Sequence, residues 1–153
     1  MYLGSDLTGT LMPILSYRDL VVWQVSMDLV VEAYRIAKAL PIEERFALAS
    51  QLRRSAVSIP ANIAEGHGRA TRGEYLQHLS VAAGSLRELQ THLEIVLRLG
   101  YTDADSLISA AHLADRTGVM LTRLRTRLRR PRSPDPSTPR PLDPLLSDSE
   151  RLQ

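Results

Sequence analysis

Four long segments with helical apolar spacing, separated by short breaks, constrain this chain more than any other feature of its sequence. Within each segment apolar residues recur three or four positions apart, which places them on one face of an α-helix. The breaks fall at Pro41, at Gly66 and Gly68, and at Gly100. Because such short connections force consecutive helices to run antiparallel, we predict an all-α fold, an antiparallel up-and-down four-helix bundle.

The predicted helices cover residues 19–40, 43–65, 71–99 and 103–130. Asp19 is predicted to cap the first helix, because its carboxylate can accept the free backbone N–H groups of the first turn. Thr71 and Glu74 have the spacing of a capping box at the start of the third helix. Gly66 and Gly68 are expected to end the second helix, since glycine readily adopts the left-handed conformation of a C-terminal cap.

The apolar residues of the first helix form two adjacent rows, which is more than the core of one bundle requires. One row is Val22, Val25, Leu29 and Ile36, and the other is Trp23, Met27, Val30, Val31, Tyr34 and Ala37. Either the helix is deeply buried in the monomer, or part of it faces another subunit. In the fourth helix the predicted inward positions are Leu107, Ala111, Ala114, Gly118, Leu121, Leu124 and Leu128.

The chain divides into three parts, an N-terminal extension over residues 1–16, the bundle over 17–130 and a C-terminal tail over 131–153. The tail has six prolines in 23 residues, so we expect it to be flexible or extended. The first sixteen residues lack the basic start and apolar run of a signal peptide. No apolar run is long enough to span a membrane, and no cysteine is present. We therefore expect a cytoplasmic protein that does not interact with membranes.

A row of polar residues follows one face of the second helix beside a proline. Arg54, Ser58, Asn62 and Glu65 are spaced four, four and three positions apart. Pro60 lacks a backbone N–H, clashes with the carbonyl of the residue four positions earlier, and is expected to bend the helix. Small residues flank it on this helix and recur on the third helix, namely Ser55, Ala56, Ser58 and Ala61, with Ala82, Ala83, Gly84 and Ser85 opposite.

We interpret this row as helix-packing and assembly chemistry. Arg54 is predicted to pair with Glu88 or Glu65, within the subunit or across its boundary, and so to fix the register of packing. Asn62 is predicted to bond the carbonyl freed by the proline, or a neighbouring chain. The alternative is that Arg54 faces a pore or groove and contacts phosphate.

Three blocks of this sequence resemble a known family. They are "DLVVWQVSMDLVVEAYRIAKALP", "QLRRSAVSIPANIAEGHGR" and "EYLQHLSVAAGSLRELQTHLEIVLRLGY". They are similar, in order, to the four-helix-bundle proteins encoded in intervening sequences of bacterial 23S ribosomal RNA genes. The similarity covers about residues 17–128. The matching positions are Arg54, Ser55, Ser58, Ile59, Pro60, Asn62, Ile63, Ala64, Glu65 and Gly66 in the second block, and Gly84, Ser85 and Glu88 in the third.

The resemblance implies a barrel-like homopentamer without enzymatic activity. A related group includes the accessory variability protein of diversity-generating retroelements, which partners a reverse transcriptase. Neither the periodicity nor the composition of this chain specifies five subunits, and that number follows from the resemblance alone.

Arginines without interspersed acids mark the end of the fourth helix. Residues 116–132 contain seven arginines and no acidic residue, whereas a solvated charged face normally mixes both signs. Like charges repel, and an anionic partner would relieve the repulsion. Four of them, Arg116, Arg123, Arg127 and Arg130, form one row, here called the arginine stripe, and the others, Arg125, Arg129 and Arg132, flank it. We predict contact with RNA or DNA phosphates, extended by Tyr17, Arg18, Arg69 and Arg72.

No motif supports catalysis. Glu74 and His78 are four positions apart, but a di-metal bundle needs Glu-x-x-His pairs on two helices and further glutamates. No phosphate-binding loop or nucleophile elbow is present. We therefore expect a protein without enzymatic activity or cofactor. The leading hypothesis is an oligomeric nucleic-acid-binding accessory protein, the subunit of either a ribonucleoprotein or a reverse transcriptase. The alternative is a scaffold whose arginine face docks an acidic protein.

Overall fold

The computed structural model describes residues 3–5, 11–13 and 15–130. The elements in chain order are β1 (Leu3–Ser5), β2 (Leu11–Pro13), α1 (Val21–Ala39), α2 (Leu48–His67), α3 (Arg72–Arg98) and α4 (Ile108–Arg129). Short 3-10 helices occupy Tyr17–Asp19, Ile42–Glu44 and Asp105–Leu107. The N-terminal extension contributes an antiparallel pair of short strands in which Leu3 pairs with Pro13, a feature that the sequence did not predict. The predicted flexible tail, residues 131–153, lies outside the described residues.

The four helices form an antiparallel up-and-down bundle, as predicted. Each helix packs against its neighbours in sequence, and α1 closes the bundle against α4. At one end, here called the connection end, the α1–α2 and α3–α4 connections meet: the Tyr101 hydroxyl donates to Glu44 at 3.0 Å. Arg35 donates to the Ser106 carbonyl there at 2.7 Å. At the other end, here called the arginine end, Arg72 donates to the backbone carbonyl of Arg130.

The core is aliphatic and continuous through all four helices. The largest fully buried side chains include Leu29 of α1, Leu52, Ile59 and Ile63 of α2, Leu79 and Leu89 of α3, and Leu121 and Leu128 of α4. Each such side chain stabilises the fold by about 1.5–3 kcal/mol relative to its exposed state. None of the described helices is both long and apolar enough to cross a membrane.

The prediction that Asp19 caps the first long helix is wrong. The Asp19 carboxylate accepts hydrogen bonds from the backbone N–H groups of Leu15 and Ser16, at 3.1 and 2.9 Å. With Ser16 it forms a capping box around the preceding 3-10 turn. Because the carboxylate is used upstream, α1 begins two residues later, after Leu20, without a side-chain cap.

Two other predicted helix starts are early, because 3-10 turns precede both α2 and α4. In α4 the prediction that Ala111 points inward is also wrong, since Ala111 is exposed and Ala110 is fully buried. The buried positions of α4 run through Ala114, Thr117 and Leu121. Extending that row toward the N-terminus reaches Ala110, one position and about 100° away from Ala111.

The second helix does not end in the predicted left-handed glycine cap. Gly66 lies inside α2, and Gly68 has a right-handed φ of −82°, so neither ends the helix by a left-handed turn. Gly100, after the third helix, does adopt the left-handed conformation, with a φ of +69°.

The Thr71–Glu74 capping box at the start of α3 is confirmed. Thr71 Oγ1 accepts from Glu74 N–H at 3.2 Å, and the Glu74 carboxylate accepts from Thr71 N–H at 3.1 Å. The side-chain hydrogen bond from Thr71 lowers the pKa of Glu74.

Only one of the two apolar rows of α1 enters the core completely. Val22, Val25, Leu29 and Ile36 are buried. Three members of the other row remain exposed, with Met27 at 39%, Val31 at 66% and Tyr34 at 46%. The bundle therefore leaves an apolar face on the outside of α1.

Candidate nucleic-acid interface and assembly surfaces

The arginine stripe lies on the solvent side of α4. Arg116, Arg123, Arg127 and Arg130 are all exposed, because the buried row of α4 occupies the opposite side of the helix. None of the four forms an ion pair with a described residue. The flanking Arg129 is exposed as well, and Arg132 lies outside the described residues. The stripe therefore presents guanidinium groups that form no ion pair within the described part of the chain. Of the four, Arg116 shares a surface groove with Asp28 and Glu32.

Arg125 differs from the other flanking arginines. It is half-buried and lines a groove of about 670 Å³ between α3 and α4, together with Arg87 and Arg123. Its Nε atom is buried and has no hydrogen-bond partner among the described residues. The helical period explains this position, since Arg125 follows Leu121 by four residues and so points toward α3.

The arginine end gathers further cations from other helices. The hydrogen bond from Arg72 to the Arg130 carbonyl brings the start of α3 beside the end of α4. Arg18 stacks over the Tyr17 ring at 5.1 Å. Arg69 is neutralised by an ion pair with Glu65. Of the predicted extension, Arg72 is thus placed next to the stripe, and Arg69 is already paired within the fold.

Helix electrostatics give a second reason for arginines at the end of α4. The last turn of a helix carries a partial negative charge, and a cation there stabilises the helix by about 0.3–1 kcal/mol. This accounts for Arg127 and Arg129, which lie in the last turn of α4. It does not account for Arg116 or Arg123, which lie farther from the C-terminus than the range of the effect.

The polar row of α2 forms a hydrogen-bonded seam with α3. Ser58 and Ser85 hydroxyl groups are 2.8 Å apart. Asn62 Nδ2 donates to the Ser58 carbonyl at 2.8 Å, and Asn62 Oδ1 lies 3.3 Å from His78 Nδ1. Arg69 Nε donates to His78 Nε2 at 3.1 Å. Because Nε2 accepts that bond, the proton of the neutral imidazole is on Nδ1, which donates to Asn62.

Two contacts predicted for this row are not formed within the described part of the subunit, and their alternatives across a subunit boundary stay predictions. Glu65 pairs with Arg69, and neither Arg54 nor Glu88 forms an ion pair with a described residue. The reason is local, because Arg69 lies one helical turn after Glu65 and reaches it first. Asn62 bonds the carbonyl of Ser58, four residues before it, and not the Ala56 carbonyl that the proline leaves free.

The small residues around Pro60 perform the predicted packing role. Pro60 is buried within α2, which continues from Leu48 to His67. Most of the small side chains of this set are buried, namely Ser55 and Ala56 of α2 and Ala82, Ala83 and Ser85 of α3. Ala61 and Gly84 are exposed and lie outside this contact.

Sequence reasoning missed the part that His78, Arg69 and His92 play in this seam. The Ser55 hydroxyl lies 3.4 Å from His92 Nδ1 and donates to the Gln51 carbonyl. The spacing of His78 and His92, fourteen residues, places both on the same side of α3, and that period was the available signal. Among the described residues no group of three His, Cys, Asp or Glu side chains could hold a metal ion.

The sequence profile of the 23S rRNA-intervening sequence proteins matches residues 18–123. The chain belongs to this family. The matched segment begins in the turn before α1 and ends within α4, so it contains the polar seam and includes the stripe only as far as Arg123.

A solved structure from Bacteroides thetaiotaomicron VPI-5482, a protein of unknown function from the S23 ribosomal protein family, has a similar fold. Its sequence is 25% identical, the TM-score is 0.65, and the match covers 69% of this chain and 96% of that one. No curated protein is significantly similar to the chain.

Proposed function

We propose that this member of the intervening-sequence family is a non-catalytic, oligomeric accessory protein that binds RNA or DNA through phosphates. The observation that carries the proposal is the exposed arginine stripe, whose four guanidinium groups have no ion-pair partner among the described residues. Guanidinium groups bind phosphates in a planar, two-pronged geometry. Aromatic residues are only 5% of the chain, so few rings are available to stack on bases and discriminate sequence.

The more specific role in this proposal is partnership with a reverse transcriptase of a diversity-generating retroelement. It is supported by the resemblance to the accessory variability protein. The competing role is a scaffold whose arginine stripe docks an acidic protein. In both roles the arginine stripe binds a macromolecular partner.

Fluorescence anisotropy with short labelled RNA and DNA tests the proposal. The logarithm of the association constant should fall linearly with the logarithm of the salt concentration between about 50 and 200 mM, because neutralised phosphates release counterions. An acidic polypeptide of equal charge serves as competitor. Absence of nucleic-acid binding at low salt contradicts the proposal, and displacement by the acidic polypeptide at equal charge concentration favours the scaffold.

The oligomeric part of the proposal rests on the outer face of α1. Met27, Val31 and Tyr34 form an apolar surface there that the bundle does not cover, and exposed patches of this kind mark interaction sites. Most soluble homo-oligomers have closed symmetry, and a head-to-tail contact between copies gives a ring when the rotation between them closes. A ring would also multiply the arginine stripe and convert weak phosphate contacts into avid binding.

Light scattering at micromolar concentration should show a single assembly of five times the 17.0 kDa chain mass. The number five follows from the family resemblance. A dimer or tetramer would contradict the pentamer but keep the apolar face as an interface, whereas a species of 17.0 kDa would contradict assembly altogether.

A further inference from the structure

An exposed aromatic knob stands at the connection end of the bundle. Phe46, the only phenylalanine of the chain, is 87% exposed in the α1–α2 connection. The guanidinium of Arg45 lies 5.4 Å from the centre of its ring. Beside it, Arg53 lies 5.8 Å from the Tyr34 ring. We define the aromatic knob as this surface of α1 and α2, comprising Tyr34, Arg45, Phe46, Arg53, Arg54 and Val57.

The charge of the knob is uniformly positive. Residues 45–64 contain three arginines and no acidic residue. Arg54 is exposed and forms no ion pair with a described residue. Val57 adds apolar surface and is 42% exposed. The knob therefore combines apolar area with unpaired positive charge, and an occupant must be apolar and acidic to cover both.

A groove of that character lies between α3 and α4 of the same chain. It has a volume of about 310 Å³, and its apolar lining includes Leu93, Leu97, Leu107 and Ile108. Its charged lining consists of Glu94 and Asp115, with no basic residue. We call it the acidic groove. Asp115 has no ion-pair partner among the described residues, and Glu94 pairs only with Arg98 at an exposed position, where such pairs are weak.

The knob and the groove lie at the same height along the bundle. Arg53 and Arg54 are five and six residues from the start of α2, which at the helical rise corresponds to about 8–9 Å from the connection end. Glu94 is four residues from the end of α3 and Asp115 seven from the start of α4, or about 6–11 Å from that end. Rotation about an axis parallel to the bundle would therefore bring the knob of one copy level with the groove of the next.

We propose that the aromatic knob of one copy docks into the acidic groove of a second copy, and that this head-to-tail contact is the repeating interface of the oligomer. The inference rests on the oligomeric part of the proposed function, and its contact includes Tyr34 of the exposed apolar face of α1. Phe46 enters the apolar lining, and Arg53 and Arg54 approach Asp115 and Glu94. Because the two surfaces differ, the contact is heterologous and closes into a ring when the rotation permits.

The charge pattern along the α3–α4 surface limits where the knob can bind. Farther from the connection end the surface becomes basic, where Arg87, Arg123 and Arg125 line the adjoining groove. A knob carrying three arginines is repelled there and attracted only beside Glu94 and Asp115. The two grooves share Gln90, Ala114 and Asp115. A small displacement of the knob along the bundle axis would therefore replace electrostatic attraction by repulsion, and this fixes the axial position of one copy relative to the next.

Charge reversal in both surfaces tests the proposal. The knob variant Arg53→Glu, Arg54→Glu and the groove variant Glu94→Arg, Asp115→Arg should each dissociate the oligomer, because every contact then joins like charges. The quadruple variant restores opposite charges at every contact and should assemble again. Light scattering measures the mass, and circular dichroism at 222 nm checks that each variant remains helical.

Removal of the central aromatic ring is the second arm. Phe46→Ala should raise the dissociation constant of the oligomer by at least about 30-fold, as expected for an aromatic residue at the centre of an interface. Val21→Ala is the matched control, since Val21 is 47% exposed at the arginine end. It should leave the mass unchanged.

The outcomes separate this inference from the proposed function. If the parent chain is monomeric, assembly and this interface are both contradicted. If the parent assembles and the knob, groove and Phe46 variants keep its mass, only the interface is contradicted. If Phe46→Ala keeps the mass but loses affinity for single-stranded RNA, the knob stacks on bases instead, which also overturns the inference. Failure of the quadruple variant to reassemble shows that the two charged sets do not meet.

Discussion

Replacement of Arg123, Arg127 and Arg130 together by glutamate is expected to lower the affinity for RNA and DNA by more than about 100-fold at low salt. Three cationic contacts are lost and three repulsive charges are added on one exposed row of α4. The salt dependence should become shallower by about one unit of slope for each phosphate contact removed. Helicity should be retained, because exposed charges without ion-pair partners contribute little to stability, and unfolding should be shifted by only about 1 kcal/mol through the charge at position 127 in the last turn of α4.

Anisotropy titrations at several salt concentrations measure both quantities. A charge-matched control compares Arg127→Glu with Lys38→Glu, which reverses one exposed charge near the connection end. Equal losses from the two single variants would mean that only net charge matters. Unchanged binding by the triple variant would show that the arginine stripe is solvated surface and would remove the main support for nucleic-acid binding.

The fold was predictable because local and long-range signals agree in this chain. Leu52, Ile59 and Ile63 repeat at helical spacing in the sequence and are all fully buried. The two apolar rows of α1 left open whether the helix is deeply buried or partly exposed, and the exposure of Met27, Val31 and Tyr34 decides for the second alternative. Helix starts were less predictable: Glu44 accepts a hydrogen bond from Leu48 N–H at 3.2 Å and thereby delays α2 behind a 3-10 turn.

The polar seam shows why partners are harder to predict than positions. The sequence placed Ser58, Asn62 and Glu65 on one face of α2, and they lie there. Their partners depended on which residues of α3 and of the α2–α3 turn came within reach, and periodicity on one helix cannot supply that distance. Arg69, in the turn, forms an ion pair with Glu65, and His78 forms a hydrogen bond with Asn62.

Arg54 illustrates a prediction that fails within the subunit and stays open across its boundary. The carboxylates expected to bind it, Glu65 and Glu88, form no ion pair with it in the same chain, and it remains exposed beside Phe46. A lone phenylalanine between an acidic turn and a helix start was the only sequence sign of this surface. The juxtaposition with Arg53 and Tyr34 arises only when α1 and α2 pack together.

Substitution of Gly66 by alanine is expected to destabilise the bundle, although glycine inside a helix is normally unfavourable. A Cβ atom at this position would lie 2.8 Å from Tyr75 Cδ2 and 2.8 Å from His78 Cβ. Such overpacking costs about 1–3 kcal/mol, and contacts as short as these belong to the upper part of that range, above the gain of about 1 kcal/mol from the better helix propensity of alanine. Because His78 Cβ is attached directly to the backbone of α3, relief requires the helices to separate.

Gly84→Ala is the matched control. Gly84 also lies inside a helix, but a Cβ atom there would have no described atom of a neighbouring element within 4 Å, so alanine should stabilise α3 by about 0.5–1 kcal/mol. Urea unfolding followed at 222 nm, at one protein concentration because assembly contributes to stability, should thus give opposite signs for the two substitutions. Stabilisation by both would mean that α3 moves away from α2 at little cost. Destabilisation by Gly66→Ala alone would show that the close approach of α2 and α3 requires glycine at position 66, the last matching position of the second sequence block. The same close approach aligns Asn62 with His78.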